Sequence, residues 1–212
     1  MARQKGKTGI FGGTFNPIHN GHLIIAESVR EQFGLDRILF VPSGQPPHKR
    51  DSEVIDPEQR FDMVKLAVGS NPGFEVSRIE IDRAGFTYTV NTLQELRAEY
   101  GNETGLYFII GADIVPELVT WKDFRQVFKL CEFVAVLRPG FDKEAFSREI
   151  DRITGNYGAV IHTVDARLID ISSTDIRERC SGGESIRYLV PDGVREYIYK
   201  EGLYIKANDA DR

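Results

Sequence analysis

Cysteine, tryptophan and long apolar runs are what this 212-residue chain has least of. It carries two cysteines, Cys131 and Cys180, and one tryptophan, Trp121. Neither cysteine belongs to a CxxC pair and no zinc-ligand spacing occurs, so no structural metal is expected and a reducing, cytoplasmic compartment is the natural reading. No stretch approaches the roughly 18 uninterrupted apolar residues of a membrane-spanning helix, so no membrane partner is expected. The opening MARQKGK is basic, but no apolar segment follows it as in a secretory leader, and residues 1–7 read as a flexible N-terminus. Positive charge is not in excess either. With 27 Lys and Arg against 32 Asp and Glu the net charge is −5, which argues against a general nucleic-acid binder. A small phosphorylated ligand stays open, because local basic residues decide that. Internal repeats and low-complexity tracts are absent.

What is there is an ordinary globular composition, 41% hydrophobic and 28% charged, long enough for one medium domain. Strand-like and helix-like stretches alternate, the pattern of a parallel sheet covered by helices, so the expected fold is α/β, Rossmann-like and doubly wound. Strands are expected at 8–11, 37–41 (RILFV), 106–110 (LYFII), 133–137 (FVAVL) and 158–164, with a short extended piece at 168–171. Residues 74–81 alternate apolar and polar with one slip of phase, and predict a half-exposed, bulged strand. Helices are expected at 23–33, from the Asp56 cap with Pro57 behind it, and at 90–100. Thr120 and Asp123 form a variant capping box that should start a helix running to 130. Two short helices at 172–179 and 192–200 read as a small C-terminal helical cap (172–205), with Tyr197, Tyr199 and Tyr204 packing it rather than serving an interface. Strand order is not readable, and self-association stays open.

Residues 10–23, IFGGTFNPIHNGHL, carry the chemistry. A strand runs into two glycines, a proline turn and two histidines three residues apart, then a helix. A helix start after a glycine loop is an anion site, because its free N–H groups point at the ligand. Gly12 and Gly13 are compatible with close approach of a phosphate and equally with a plain tight turn. The spacing is not GxGxxG, so it does not indicate a dinucleotide-binding loop. His19 and His22 share one face at the helix start and look into one site. No third ligand follows at metal spacing, so the two imidazoles are expected to donate to phosphate oxygens whose charge grows in a transition state.

A second element is ISSTDIR at 171–177. Hydroxyls ahead of a short helix cap it and offer donors to an anion, and Arg177 one turn in can reach the same anion with a forked donor set. Together with the histidine loop it describes two helix N-termini converging on one polyphosphate. Four strand ends, GGTFNPIHNGH, PSGQPPHKR, GAD and RPG, carry unusual residues at the carboxyl edge where open parallel sheets bind ligands.

GGTFNPIHNGH resembles the (H/T)xGH signature of the nucleotidyltransferase superfamily, and ISSTDIR resembles the C-terminal ISSTxIR signature of its pyridine-nucleotide adenylyltransferases. With VPSGQPPHK, FTYT, GADIVPELVTW and VLRPG between them, the resemblance covers nearly the whole chain and is greatest to bacterial nicotinate-nucleotide adenylyltransferases. It implies that Gly12, Gly13, Thr14 and Phe15 line an ATP site, with His19 and His22 on the phosphates. Ser172, Ser173 and Arg177 would hold the triphosphate from the opposite side, and Gly111 and Asp113 would contact the adenosine. Trp121 stands where the family sets an aromatic ring against the pyridine, and Thr87 and Tyr88 match the segment that meets its carboxylate. The resemblance implies further mononucleotide contacts from His48, Lys49 and Arg138. The implied reaction joins ATP and nicotinate mononucleotide into deamido-NAD with release of pyrophosphate, aided by a Mg²⁺ bound mainly through ATP oxygens. The nucleophile is a phosphate already ionised at neutral pH, so no general base is required. A nicotinamide, phosphopantetheine or cytidylyl specificity, or a non-catalytic nucleotide sensor on the same scaffold, are the alternatives. The GISTT-type ending of cytidylyltransferases is absent.

Overall fold

A computed structural model describes residues 6–45, 54–137, 142–165 and 169–205. Six parallel strands form one sheet in the order β3-β2-β1-β4-β5-β6, numbered along the chain. They are β1 (Lys7–Gly13), β2 (Arg37–Pro42), β3 (Phe74–Val76), β4 (Gly105–Gly111), β5 (Glu132–Leu137) and β6 (Ile161–Asp165). The helices are α1 (Asn20–Phe33), α2 (Pro57–Val68), α3 (Thr89–Tyr100), α4 (Phe124–Leu130), α5 (Lys143–Tyr157), α6 (Ser173–Ser181) and α7 (Asp192–Lys200).

Alternation along each strand sends side chains to opposite faces and so divides the core in two. Phe11, Ile38, Phe40, Ile109, Val134 and Val136 face one layer, with Ala26 and Val29 of α1, Met63 and Val64 of α2, Ile176 of α6 and Val194 of α7. Ile10, Leu39, Phe108, Ile110, Phe133 and Ala135 face the other, beneath α3, α4 and α5. Residues 106–110 and 133–137 read as continuous apolar runs because both of their faces are covered. The C-terminal cap is a continuation of the α1–α2 layer, and the Tyr197 hydroxyl of α7 donates to Asp62 of α2 at 3.3 Å. Tyr199 is 46% exposed.

Five local expectations need correction. Lys7, taken as part of a flexible terminus, belongs to β1, where its N–H donates to Asp36 and its Cα pairs with Gly105. Gly12 and Gly13 are strand residues paired with Val41 and Pro42, not a loop. The strand at 74–81 keeps only its first three residues, because Ser77 N–H makes its last bond to the Phe40 carbonyl and the chain then turns. Thr120 and Asp123 form no capping box. The Pro116-containing run Ala112–Thr120 is a 3-10 helix that ends on Thr120, whose hydroxyl donates to the Glu117 carbonyl, and α4 starts afresh from Asp123 in a left-handed conformation. Residues 169–171 are not a strand, and Leu168 lies outside the described residues.

The strand order reverses between β1 and β4. Their pairing ends at Ile10 with Phe108, while β1 continues beside β2 to Gly13. That divergence opens a crevice at the carboxyl edge of the sheet, the position where doubly wound folds bind ligands.

Candidate active site

The crevice has a volume of about 220 Å³ and is lined by Phe11, His22, Ile25, Ile110, Gly111 and Asp113 among others. Three residues expected to meet ATP therefore share one pocket: His22 from α1, and Gly111 and Asp113 from the end of β4. The aliphatic walls, Ile25 and Ile110, gave no warning in sequence beyond their place in core-like runs.

Gly12 and Gly13 are kept small by neighbouring rings. A Cβ on Gly12 would stand 3.2 Å from the Phe108 ring, and one on Gly13 3.0 Å from the Phe15 ring. Phe15 itself has φ 49°, a left-handed conformation that strains a bulky residue by about 1–2 kcal/mol. Burial holds it there: its ring is 3% exposed and packs edge-on to His22 with centroids 5.1 Å apart. The Phe15 side chain thus braces the His22 ring, a contact the sequence does not reveal.

His19 is the N-cap of α1 and His22 its third helical residue, which stacks the two rings at a centroid distance of 3.6 Å. The His19 N–H donates to His22 Nδ1 at 3.2 Å. In the neutral ring the His22 proton must then sit on Nε2, leaving that nitrogen as a donor. His19 Nδ1 is buried with no hydrogen-bond partner among the described residues. Burial pushes the His19 pKa down to about 4. His22 is held well below the usual histidine value by burial first and by its neighbour His19 second. Both imidazoles are neutral at pH 7.

The second arm reaches the same loop. Ser172 caps α6 by accepting from the Asp175 N–H at 3.1 Å, and Ser173 donates to the Pro17 carbonyl at 2.8 Å. Arg177 Nη1 donates to the Asn16 carbonyl at 2.9 Å. Three contacts that sequence reading missed close the joint: Tyr204 donates to Asn16 Oδ1 at 2.8 Å, and the Asn20 N–H and side chain donate to the Leu189 and Tyr188 carbonyls. Tyr204 is therefore more than packing for the cap. Only its distant pairing with Asn16, 188 residues away, gives it this place, and no local signal records that.

Of the residues expected at the pyridine, Tyr88 and Trp121 pack against the core layer beneath α3, α4 and α5. Thr87 is buried, and its N–H donates to the Gln45 carbonyl at 3.0 Å, joining the FTYT segment to the loop after β2. Lys122 lies 4.3 Å over the Tyr88 ring, which brings the Trp121 segment alongside. Trp121 is half-buried and edge-on to Phe108 at 5.9 Å. Beneath them burial raises the pKa of Glu80, whose carboxylate accepts from Thr92 at 2.6 Å. His48, Lys49 and Arg138 lie outside the described residues.

The sheet order, the switch-point crevice and the paired histidines at a helix start define a nucleotidyltransferase of the doubly wound class. The chain belongs to the cytidylyltransferase-like family, whose profile matches residues 10–179. Within that class, similar proteins carry the name "Probable nicotinate-nucleotide adenylyltransferase". A Thermoanaerobacter sp. (strain X514) protein named "Probable nicotinate-nucleotide adenylyltransferase" is 51% identical over 94% of this chain and 95% of its own length. One of the same name from Moorella thermoacetica is 48% identical over 96% of this chain and 94% of its own. The Plasmodium falciparum nicotinic acid mononucleotide adenylyltransferase complexed with NaAD superposes with a TM-score of 0.76 at 17% identity, covering 94% of this chain and 97% of that one. The fold is shared with that enzyme.

Proposed function

We propose that this protein transfers AMP from ATP to nicotinate mononucleotide, giving deamido-NAD and pyrophosphate. The observation that carries the reading is the stacked His19–His22 pair at the start of α1, tied through Asn16 and Pro17 to the start of α6. A mononucleotide phosphate oxygen attacks the α-phosphorus of ATP, a new P–O bond forms, and the bond from that phosphorus to the β-phosphate oxygen breaks to release pyrophosphate. No proton needs to be abstracted, which suits a site whose histidines are neutral donors. His22 Nε2–H and the His19 ring face the transferring phosphoryl group, where their bonds strengthen as charge develops. Ser172, Ser173 and Arg177 hold the leaving phosphates. Adenosine occupies the crevice beside Gly111 and Asp113, and Gly12, Gly13, Thr14 and Phe15 line the ATP site next to it. The pyridine ring rests by Trp121, with Thr87 and Tyr88 at its carboxylate, and His48, Lys49 and Arg138 complete that side.

Mg²⁺ fits this donor set only as a companion of the nucleotide. Among the described residues no three His, Cys, Asp or Glu side chains gather as ligands, so ATP oxygens and water would hold the ion. Bound so, it would neutralise charge on the departing pyrophosphate. A cytoplasmic location agrees with the two free, buried cysteines.

The test is pyrophosphate release from Mg-ATP with each pyridine mononucleotide in turn. Release with the nicotinate compound and much slower release with nicotinamide is the expected result. The reverse preference reassigns the acceptor, and no release with either refutes the enzymatic reading.

A further inference from the structure

Arg60, in the first turn of α2, is 0% exposed. Its guanidinium spends its donors on main-chain oxygens: Nη1 on Thr14 at 2.8 Å, Nη2 on Gly44 at 2.9 Å and Nε on Ile55 at 3.1 Å. Thr14 is the first residue after β1, and Gly44 lies two residues beyond β2. The fork therefore binds together the loops that leave two neighbouring strands at the ligand-binding edge of the sheet. From Thr14 the connection runs to Phe15, whose ring braces His22 at 5.1 Å, and from Gly44 to Gln45, whose carbonyl accepts from the Thr87 N–H at 3.0 Å. A trans peptide with its carbonyl fixed has its N–H fixed on the opposite side, so the Thr14–Phe15 unit is oriented by this bond.

We infer that Arg60 is a positioning residue for the transfer reaction, setting the histidine loop and the loop after β2 in register so that the two substrates meet in line. Buried charge is expensive, and a guanidinium kept where an apolar residue would pack is explained by what it holds. Placing the loops does not require Arg60 to touch either substrate.

The proposal rests on the adenylyltransferase reading, and Arg97, which is half-buried, supplies a control. Its guanidinium also serves three carbonyls, those of Leu130, Thr104 and Gly101, but at the amino ends of β4 and β5, away from the site. Arg60→Lys keeps the charge and loses the fork. Arg60→Gln removes the charge and keeps one donor group, so a folded variant is at hand if the first does not fold. We expect kcat per folded molecule to fall about 10- to 100-fold in the Arg60 variants, the scale of a roughly 1 Å misplacement, with KM for ATP within about threefold. Arg97→Lys should lose thermal stability and keep kcat. Unchanged kcat in a folded Arg60 variant, or an equal loss in Arg97→Lys, overturns the proposal alone. A wild-type chain that releases no pyrophosphate overturns the functional reading and this inference with it.

Discussion

His22 offers the most discriminating test of the site, because its two nitrogens do different work. Nδ1 accepts from the His19 N–H at 3.2 Å and so belongs to the architecture of the helix start. Nε2 is the nitrogen that, under the proposed mechanism, donates to a phosphate. Asparagine places an amide oxygen near the position of Nδ1 and nothing near Nε2, whereas glutamine reaches the Nε2 position and abandons Nδ1. His22→Asn should therefore keep the cap and lose the donor. Its stability cost comes from the missing ring, which is edge-on to Phe15 at 5.1 Å and to Phe11 at 5.8 Å. At about 0.5–1.5 kcal/mol for each such contact the loss is about 1–3 kcal/mol, enough to shift a melting curve and too little to unfold a typical domain. The catalytic cost of one preorganised donor is about 10²–10³ in kcat, or about 3–4 kcal/mol of transition-state stabilisation. His22→Gln should recover part of that rate while leaving the His19 N–H without its acceptor. Pyrophosphate release at saturating Mg-ATP and nicotinate mononucleotide, scaled to the folded fraction from urea titration, separates the two terms. A folded His22→Asn protein within about threefold of the wild-type kcat would refute the assignment of Nε2.

Three further outcomes are expected. Arg177→Ala should raise KM for ATP about tenfold, the worth of about 1.4 kcal/mol, with a smaller change in kcat, as initial-rate kinetics would show. The folded His19 pKa of about 4 lies below the ordinary value of 6.5, so the unfolded chain binds this proton more readily. Stability is then full above pH 6.5 and falls as pH drops towards 4, by at most about 3 kcal/mol from this residue. Urea titrations at pH 7.5 and 5.0 should show that loss, and His19→Gln should show less of it. Identical pH dependence in both would count against the burial of an uncharged imidazole. Gly44→Ala should lower the unfolding free energy from urea titration by about 1–3 kcal/mol, since its Cβ would run into the main-chain carbonyl of Glu80 rather than a flexible side chain.

The legible parts of this chain were those written in local pattern. Continuous apolar runs announced β4 and β5 because both faces of the sheet are covered, and Asp56 with Pro57 marked the start of α2 to the residue. That His19 and His22 share a face was legible in their three-residue spacing at a helix start, and in α1 the two rings stack. The misreadings arose where tertiary contacts overrule local signals. Thr120 and Asp123 have the chemistry of a capping box, but the Pro116-containing 3-10 turn preceding them uses Thr120 as its last residue. Arg60 lies in the stretch after Pro57, whose apolar spacing of Phe61, Val64 and Val68 marks a helix and says nothing of a buried arginine. A buried arginine has no periodic signature, and its partners lie 46 and 16 residues away. Strand order was equally silent, since it depends on which crossovers pack together.

The neutrality of the two histidines bears on how such a site favours the transition state over the bound ground state. A charged imidazolium would attract ATP strongly before any chemistry, and that attraction would lower KM without raising kcat. A neutral N–H donor gains most when negative charge accumulates on the oxygen it faces, which under the proposed mechanism happens only as the phosphoryl group transfers. The 3.6 Å stack adds a restraint. Bound phosphates favour protonation of a nearby imidazole, but a first proton on one ring opposes a second on the other. Nucleotide binding below pH 6.5 should therefore draw at most about one proton onto the pair. Phe15 and Phe11, packed edge-on against His22, help bury that ring and so favour its uncharged form, which under the proposed mechanism is the form that donates.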